Sequence, residues 1–374
     1  MNKLHLIEYI ETHPDWQQLL TEKPYCITIK TDPDYPDLYM FCYSQIDSDF
    51  YNPIVKECRG IILEINNTIT PVCVPFFKFG NYGEGYADTI DWSTAKVQEK
   101  VDGSLIKLYY YKNKWRIATN GTIDAFKAKL PPDVNCNFSS YGELFNFLYY
   151  GWNNSLLNKN CTYMFELISP YNRVVVPYCE IDIRFIGKRD NITLQEYNPT
   201  ELNELPNVKR PKEYVLFSLE ECINAASVLP YSQEGYVVVD KDFHRIKIKS
   251  PAYVAAHYLK NNNCITYKRI VSLIRQNQKE EFLTYFPEYT KYFTIVEDKI
   301  NKCIQDNISV LNEIIEAMKT ELGTSRAYLA QIAKKAPNPA CIFSWIDNET
   351  SISDWIWNKT DEQICKLIGV KDND

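Results

Sequence analysis

Lys100 stands in Glu99-Lys100-Val101-Asp102-Gly103-Ser104, a compact polar segment that runs straight into the apolar stretch Leu105 to Tyr111. A lysine amine is nucleophilic only after losing a proton, and an ordinary pKa of about 10.4 makes that rare at neutral pH. Nearby cations or a metal-bound phosphate would have to push the proton off. The segment His244-Arg245-Ile246-Lys247-Ile248-Lys249 offers such cations. In a strand its alternation places Arg245, Lys247 and Lys249 on one face and Ile246 and Ile248 on the other, one face cationic and one face core. Read alone, each piece has a plainer explanation. Lys-x-Asp-Gly is a composition that exposed loops favour, and Ile-Lys-Ile-Lys describes many edge strands with one solvated face.

Two carboxylates sharpen the picture. Glu166 interrupts Tyr163-Met164-Phe165-Glu166-Leu167-Ile168, where apolar residues occupy both faces of the expected strand. An acid there needs a partner or a metal; Arg173 is the structural candidate. Glu234 opens Glu234-Gly235-Tyr236-Val237-Val238-Val239, whose expected hairpin partner carries Lys247 and Lys249. Pairing Glu234 with Lys249 across the hairpin would be the structural alternative to a role in chemistry.

These groups must be positioned by elements that the sequence also outlines. One or two helices interrupted at Pro14 open the chain. Strands are expected over 60–65 and 69–77, joined at Asn66-Asn67, over 104–111 and 114–119, over 162–168, 174–176 and 181–186, and over 235–239 and 243–249. Ser218-Leu219-Glu220-Glu221 has capping-box spacing and predicts a helix to about Val228. Ser250-Pro251 is a helix start, and few strand signals follow it. The domain boundary is therefore placed there, giving 1–250 and 251–374. In the second part, Phe293, Val296, Ile300, Ile304, Ile308, Leu311, Ile315, Met318 and Leu322 recur at helical spacing and predict one long helix ending near Gly323.

Bulk properties narrow the class. The chain has 374 residues, 45% of them hydrophobic and 24% charged, enough for a real core and a second lobe. Its 12 cysteines include no Cys-x-x-Cys pair, and only four His are present, which reads as free thiols without a structural zinc site. The N-terminus lacks a signal-peptide pattern and no stretch approaches a membrane span, so a cytoplasmic protein, with no membrane partner and monomeric, is expected. The formal net charge is -7. With no polybasic tail, any grip on nucleic acid has to come from a local patch. Arg184, Lys188, Arg189, Lys209, Arg210 and Lys212 are candidates, and Glu280-Glu281 in the second part is either a metal pair or a solvated acidic pair.

Taken together in order, Lys100-Val101-Asp102-Gly103, Phe165-Glu166-Leu167, Glu234-Gly235 and Lys247-Ile248-Lys249 resemble the covalent nucleotidyltransferases, which include RNA ligases, DNA ligases and messenger-RNA capping enzymes. Glu57-Cys58-Arg59-Gly60, Lys78-Phe79, Ser169-Pro170-Tyr171-Asn172-Arg173-Val174-Val175 and Lys249-Ser250-Pro251-Ala252-Tyr253 narrow the resemblance to the phage-type RNA ligase 1 family, over about residues 50 to 260. Two positions depart from that pattern. Asn120 stands where a basic residue often precedes a Gly, and Gly80 follows Lys78-Phe79 where an aromatic is expected.

The resemblance implies an α+β protein: an N-terminal antiparallel-sheet nucleotidyltransferase (adenylyltransferase, ATP-grasp-like ligase) domain, then an all-α C-terminal domain that recognises RNA. It implies Lys100 as nucleophile, with Lys247 and Lys249 holding the α-phosphate and stabilising developing charge. Arg59 and Lys78 would be nucleotide-binding cations, Asp102 part of the nucleotide site, and Glu166 and Glu234 ligands of the ribose or Mg²⁺. Val237 would lie against adenine, and Tyr253 against phosphate or the RNA end. The implied reaction consumes ATP with Mg²⁺ and joins 5′-phosphate and 3′-hydroxyl RNA ends, a nicked tRNA among the candidates. A capping guanylyltransferase or DNA ligase would use the same lysine, but both resemblances call for a β-rich barrel after Lys249, where this sequence reads as helical. A non-catalytic RNA-binding adaptor is the alternative outside enzymes.

Overall fold

The computed structural model describes residues 3–131, 136–152, 154–258, 265–319 and 325–371. Two compact units divide it, Met1–Lys260 and Asn261–Asp374. The break lies ten residues beyond the expected boundary at 250/251. The helix Pro251–Tyr258 stays with the first unit because it is anchored there: Ser250 N–H donates to the Glu234 carbonyl at 2.8 Å, and Tyr253 Oη donates to Asp102 at 2.9 Å. Ser250 caps that helix as its type predicts, its Oγ accepting from Tyr253 N–H at 3.3 Å.

The first unit holds three sheets. One orders β1 (Ile27–Asp32), β2 (Tyr35–Tyr43), β3 (Arg59–Ile65) and β4 (Ile69–Cys73) as consecutive antiparallel neighbours. Into the third sheet goes β5 (Lys96–Glu99). The second is built from β6 (Ser104–Tyr111), β7 (Lys114–Thr119), β8 (Cys161–Ile168), β9 (Asp182–Asp190) and β10 (Glu196–Tyr197), ordered β10-β9-β8-β6-β7. The third adds β11 (Glu213–Tyr214), β12 (Gly235–Val239) and β13 (Arg245–Lys249) to β5, in the order β11-β5-β12-β13. Every pairing within the sheets is antiparallel.

Local chemistry explains the joints. Lys112 and Asn113 take φ of 45° and 61°, the double positive-φ turn that matches strand twist in a two-residue hairpin, and they join β6 to β7 as expected. The third sheet turns Val97, Tyr236, Val238, Ile246 and Ile248 toward Cys222 and Ala226 of the helix Leu219–Ser227, whose first turn is capped by Ser218. That buried face fixes register, because a one-residue slip would expose every one of these side chains.

The segment 174–176, expected as a strand, is not one. Its amides at Val175 and Val176 donate to the Asp102 carboxylate at 2.9 and 2.7 Å instead of to a neighbouring strand. The hairpin of β1 and β2 and the short strand β5 had no clear signal of their own.

The second unit is helical throughout its described residues. Its long helix runs Thr290–Met318, and the expected end near Gly323 lies outside the described residues. The buried face runs through Phe293, Val296, Ile300, Cys303, Asn307, Val310, Leu311 and Ile314, rotated from the expected stripe after Ile300. Asn307 lies on the buried face. Fully buried, it donates to the Cys303 carbonyl at 2.7 Å and accepts from Asn338 N–H at 3.0 Å. Of the Glu280-Glu281 pair, Glu281 is not solvated but buried, 5% exposed, and among the described residues no group of three or more His, Cys, Asp or Glu side chains is arranged to hold an ion.

Candidate active site

Antiparallel register writes a row of four residues across the third sheet. Glu213 lies opposite Gln98, Gln98 opposite Val237, and Val237 opposite Lys247. Directly opposed residues point to the same face, so this row, with Lys100 two positions beyond Gln98 and Lys249 two beyond Lys247, lines the face away from the core. Arg59, Phe79, Gln98, Lys100, Glu166, Val237 and Lys247 all border one cavity of about 90 Å³ on that face.

The nucleophile candidate is tied to β12. Lys100 N–H donates to the Gly235 carbonyl at 2.8 Å, and its amine sits 2.8 Å from Glu234 Oε2. Lys249 approaches the other oxygen of the same carboxylate at 3.8 Å. The pairing of Glu234 with Lys249 is therefore real, and it includes Lys100. Gly235 permits this geometry: its φ is +137°, and a side chain there would run into the Ile248 carbonyl. Gly103 does the same on the other side, where a Cβ would collide with the Leu167 carbonyl and press on Glu166 Cγ at 3.1 Å. Only glycine lets the strand after Lys100 run this close to Glu166.

Glu166 accepts no hydrogen bond from the described residues, and Arg173 turns away to donate to the Val175 carbonyl at 3.0 Å. Burial pushes the Glu166 carboxyl up to about 7, against the pull of Lys100 and Arg59, with Glu234 and Asp102 adding to the rise. The lysine pushed well below its usual range is Lys247, through burial first and then the charges of Lys78, Arg59, Lys100 and Lys249. Its amine lies 4.7 Å from the Phe79 ring, and the Arg59 guanidinium lies 5.4 Å from the same ring. Arg59 Nη1 is buried with no hydrogen-bond partner among the described residues, a donor left for something else.

The two departures from the family pattern have local accounts. Gly80 is forced by a close approach, its missing Cβ falling 2.8 Å from Ala87 Cα, while its carbonyl accepts from Lys247 N–H at 3.0 Å. Asn120 offers its carbonyl to Cys42 Sγ at 3.5 Å, beside Gly60. Lys107 lies fully buried in the same place and donates to the Gly60 carbonyl.

Several of the expected residues have partners within the protein. Asp102 directs both oxygens into the protein, toward Val175 N–H, Val176 N–H and the Tyr253 hydroxyl, and so shapes the loop that carries Lys100. Tyr253 is 3% exposed and donates its hydroxyl to Asp102. Lys78 sits among Tyr43, Phe50 and Tyr86 at 5.3, 4.5 and 5.8 Å from their rings and donates to Gln45 at 3.3 Å. The charged run proposed for phosphate contacts is mostly structural. Arg184 and Lys209 pair with Asp182, Lys188 with Glu204, Arg189 with Glu196, and Arg210 donates to four backbone carbonyls. Arg245 of the cationic face pairs with Glu196 at 2.6 Å and serves packing in the same way.

A family model described as RNA ligase matches residues 57–253, the span that contains Arg59, Lys100, Glu166, Glu234, Lys247 and Lys249. The chain belongs to this RNA ligase family. It is 32% identical over 270 residues to a protein of Autographa californica nuclear polyhedrosis virus whose name joins polynucleotide kinase and RNA ligase, covering 67% of this chain and 38% of that protein. An RNA ligase of Rhodothermus phage RM378 is 28% identical, over 77% of this chain and 75% of that one. Among solved structures, an archaeal ATP-dependent RNA ligase aligns with 11% identity and a TM-score of 0.42, over 81% of this chain and 83% of that one. The RNA ligase family member described here thus spans under two-fifths of the viral relative.

Proposed function

We propose that this chain is an ATP-dependent RNA ligase that captures AMP on Lys100. The observation that carries the reading is the convergence on one cavity of the Lys100 amine, the unpartnered Arg59 Nη1, and Lys247 and Glu166, whose pKa values are displaced in opposite directions by burial. Shifts of that kind in a cleft are what functional sites require.

In the first step, Lys100 Nζ forms a bond to the α-phosphorus of ATP, the bond to the bridging oxygen breaks, and pyrophosphate leaves with its electrons. Glu234, already 2.8 Å from the amine, is placed to take the proton. Lys247 and Lys249 stand where charge grows on the phosphate oxygens, and they are fixed on a strand whose other face is core, so little reorganisation accompanies the step. The AMP then passes to the 5′-phosphate of an RNA end, and a 3′-hydroxyl displaces it to seal the strand; nicked tRNA is one RNA with both ends. Glu166 and Glu234 suit a divalent cation such as Mg²⁺, because two carboxylates are sufficient for an ion that completes its shell with phosphate oxygens and water, and its chemistry would be to neutralise phosphate charge.

The test is incubation with α-labelled ATP and Mg²⁺, followed by denaturation. Label stays on the wild-type chain and is absent from Lys100→Ala. Equal labelling of the two, or none on wild type, would overturn the reading. Nicked RNA offered beside nicked DNA then identifies the strand that is sealed.

A further inference from the structure

We infer that Gln98 reads the base of the nucleotide and that Glu213 sets its choice of adenine over guanine. The inference rests on the nucleotide site proposed above, but it concerns which base enters, not the chemistry at Lys100.

Position comes from register. Val237 has Lys247 on one side and Gln98 on the other, all on one face of the sheet. A flat base lying over Val237 with its phosphates toward Lys247 has its far edge toward Gln98. Gln98 is 7% exposed and borders both the cavity that Lys100, Val237 and Lys247 share and a neighbouring one lined by Lys96 and Glu201.

Orientation comes from Glu213. An amide of this kind can be turned either way, presenting oxygen or nitrogen. Glu213 decides the matter, because an ionised carboxylate only accepts: Gln98 Nε2 donates to Glu213 Oε1 at 3.3 Å, and the same oxygen accepts from Thr200 Oγ1 at 3.1 Å. With Nε2 committed to the edge strand, Oε1 is left as an acceptor with no donor among the described residues. Adenine offers an amino group on the edge where guanine offers a carbonyl oxygen. An acceptor therefore pairs with adenine and meets another acceptor in guanine. Turning the amide to suit guanine would aim Oε1 at the Glu213 carboxylate, so the carboxylate penalises the wrong base from outside the cavity.

A site built to hydrogen-bond one group discriminates strongly against an analogue that lacks it. The test uses Lys100→Ala protein, in which binding is measured by titration calorimetry without covalent capture, with ATP, GTP and purine riboside 5′-triphosphate, which lacks the amino group. With Gln98 present, ATP binds about tenfold tighter than the analogue and about a hundredfold tighter than GTP, the range expected for one base-edge contact. Adding Gln98→Leu removes the preference for ATP over the analogue and leaves the affinity for the analogue within about twofold. Adding Glu213→Gln lowers the ATP:GTP ratio by about tenfold, because the amide is then free to turn. Equal affinity of the Lys100→Ala protein for ATP and the analogue overturns the inference without recourse to any further variant. So does binding of neither nucleotide, or an unchanged ratio in Gln98→Leu. Base selection that behaves as described in a wild-type protein that never labels would sink the ligase reading alone.

Discussion

The Lys100 amine lies 2.8 Å from a Glu234 carboxylate that is 5% exposed and also faces Lys249 at 3.8 Å, so one buried acid holds both Lys249 of β13 and Lys100 in the segment that follows β5. Breaking a buried ion pair from one side leaves the remaining charge without compensation.

Glu234→Ala should therefore weaken both fold and chemistry. Loss of the carboxylate costs about 3 kcal/mol of stability and lowers the rate of Lys100 labelling by about a hundredfold. Glu234→Gln keeps the shape and separates the two effects: denaturation recovers most of the stability, while single-turnover labelling stays slow. A fast Glu234→Gln enzyme would remove Glu234 from the proton path.

Glu166 supplies a pH signature. Its folded-state carboxyl titrates at about 7, above the ordinary value of 4.5, so the folded protein holds a proton that the unfolded chain has released. Stability from this group is complete below about pH 4.5, falls as the pH rises, and is gone above about pH 7, a loss of at most about 3 kcal/mol. Glu166→Gln should match wild type in thermal stability near pH 5 and exceed it near pH 8, with labelling abolished or nearly so. Parallel melting curves for the two proteins across that range would refute the burial argument.

Lys247 behaves in the opposite sense. Its folded-state pKa is depressed, so the unfolded chain binds the extra proton, and the destabilisation is complete below that depressed value and fades as the pH rises toward the ordinary lysine value of about 10.4. Lys247→Met should raise the melting temperature of the nucleotide-free protein at pH 7, and the gain should shrink by pH 10. The same change should weaken ATP binding by about tenfold or more, since a phosphate cation is lost. Stabilisation without loss of affinity would place Lys247 outside the phosphate path.

Asp102 and Tyr253 test a role in positioning. Tyr253→Phe removes one donor to Asp102 Oδ1 and should cost about 1 kcal/mol with a labelling rate within about threefold of wild type. Asp102→Ala strands two buried amides as well and should cost about 2–4 kcal/mol. Urea denaturation reads both. A Tyr253→Phe enzyme with intact stability and a large loss of sealing on RNA would restore the direct contact that the sequence implied.

Much of the site was legible in the sequence because its parts are local. Lys-x-Asp-Gly, Glu-Gly and Lys-x-Lys each need only a few consecutive residues, and alternation over Arg245 to Lys249 gives the facing of the cations without any knowledge of the partner strand. What stayed hidden depends on distant pairing. Nothing near Asp102 announces that Val175, Val176 and Tyr253 will converge on it, and nothing near Val174 shows that its neighbours' amides will leave the sheet for a carboxylate. Arg184 to Lys212 looked available for phosphate because Asp182, Glu196 and Glu204, which claim four of the six, are brought to them by the fold. Gln98 gave a faint signal, since it stands two positions before Lys100 and must share its face. Glu213, its orienting partner, lies more than a hundred residues away and becomes adjacent only through the pairing of β11 with β5.

The row Glu213, Gln98, Val237 and Lys247 crosses four strands, and its two ends lie on opposite edges of one sheet. The sheet therefore works as a ruler, with base recognition graduated at one end and phosphate chemistry at the other, and hydrogen-bond register fixing the interval between them. An engineer could rewrite the β11 end to admit a different base while leaving the calibration at Lys100 and Lys247 untouched, provided no residue is inserted or deleted within β5 or β12.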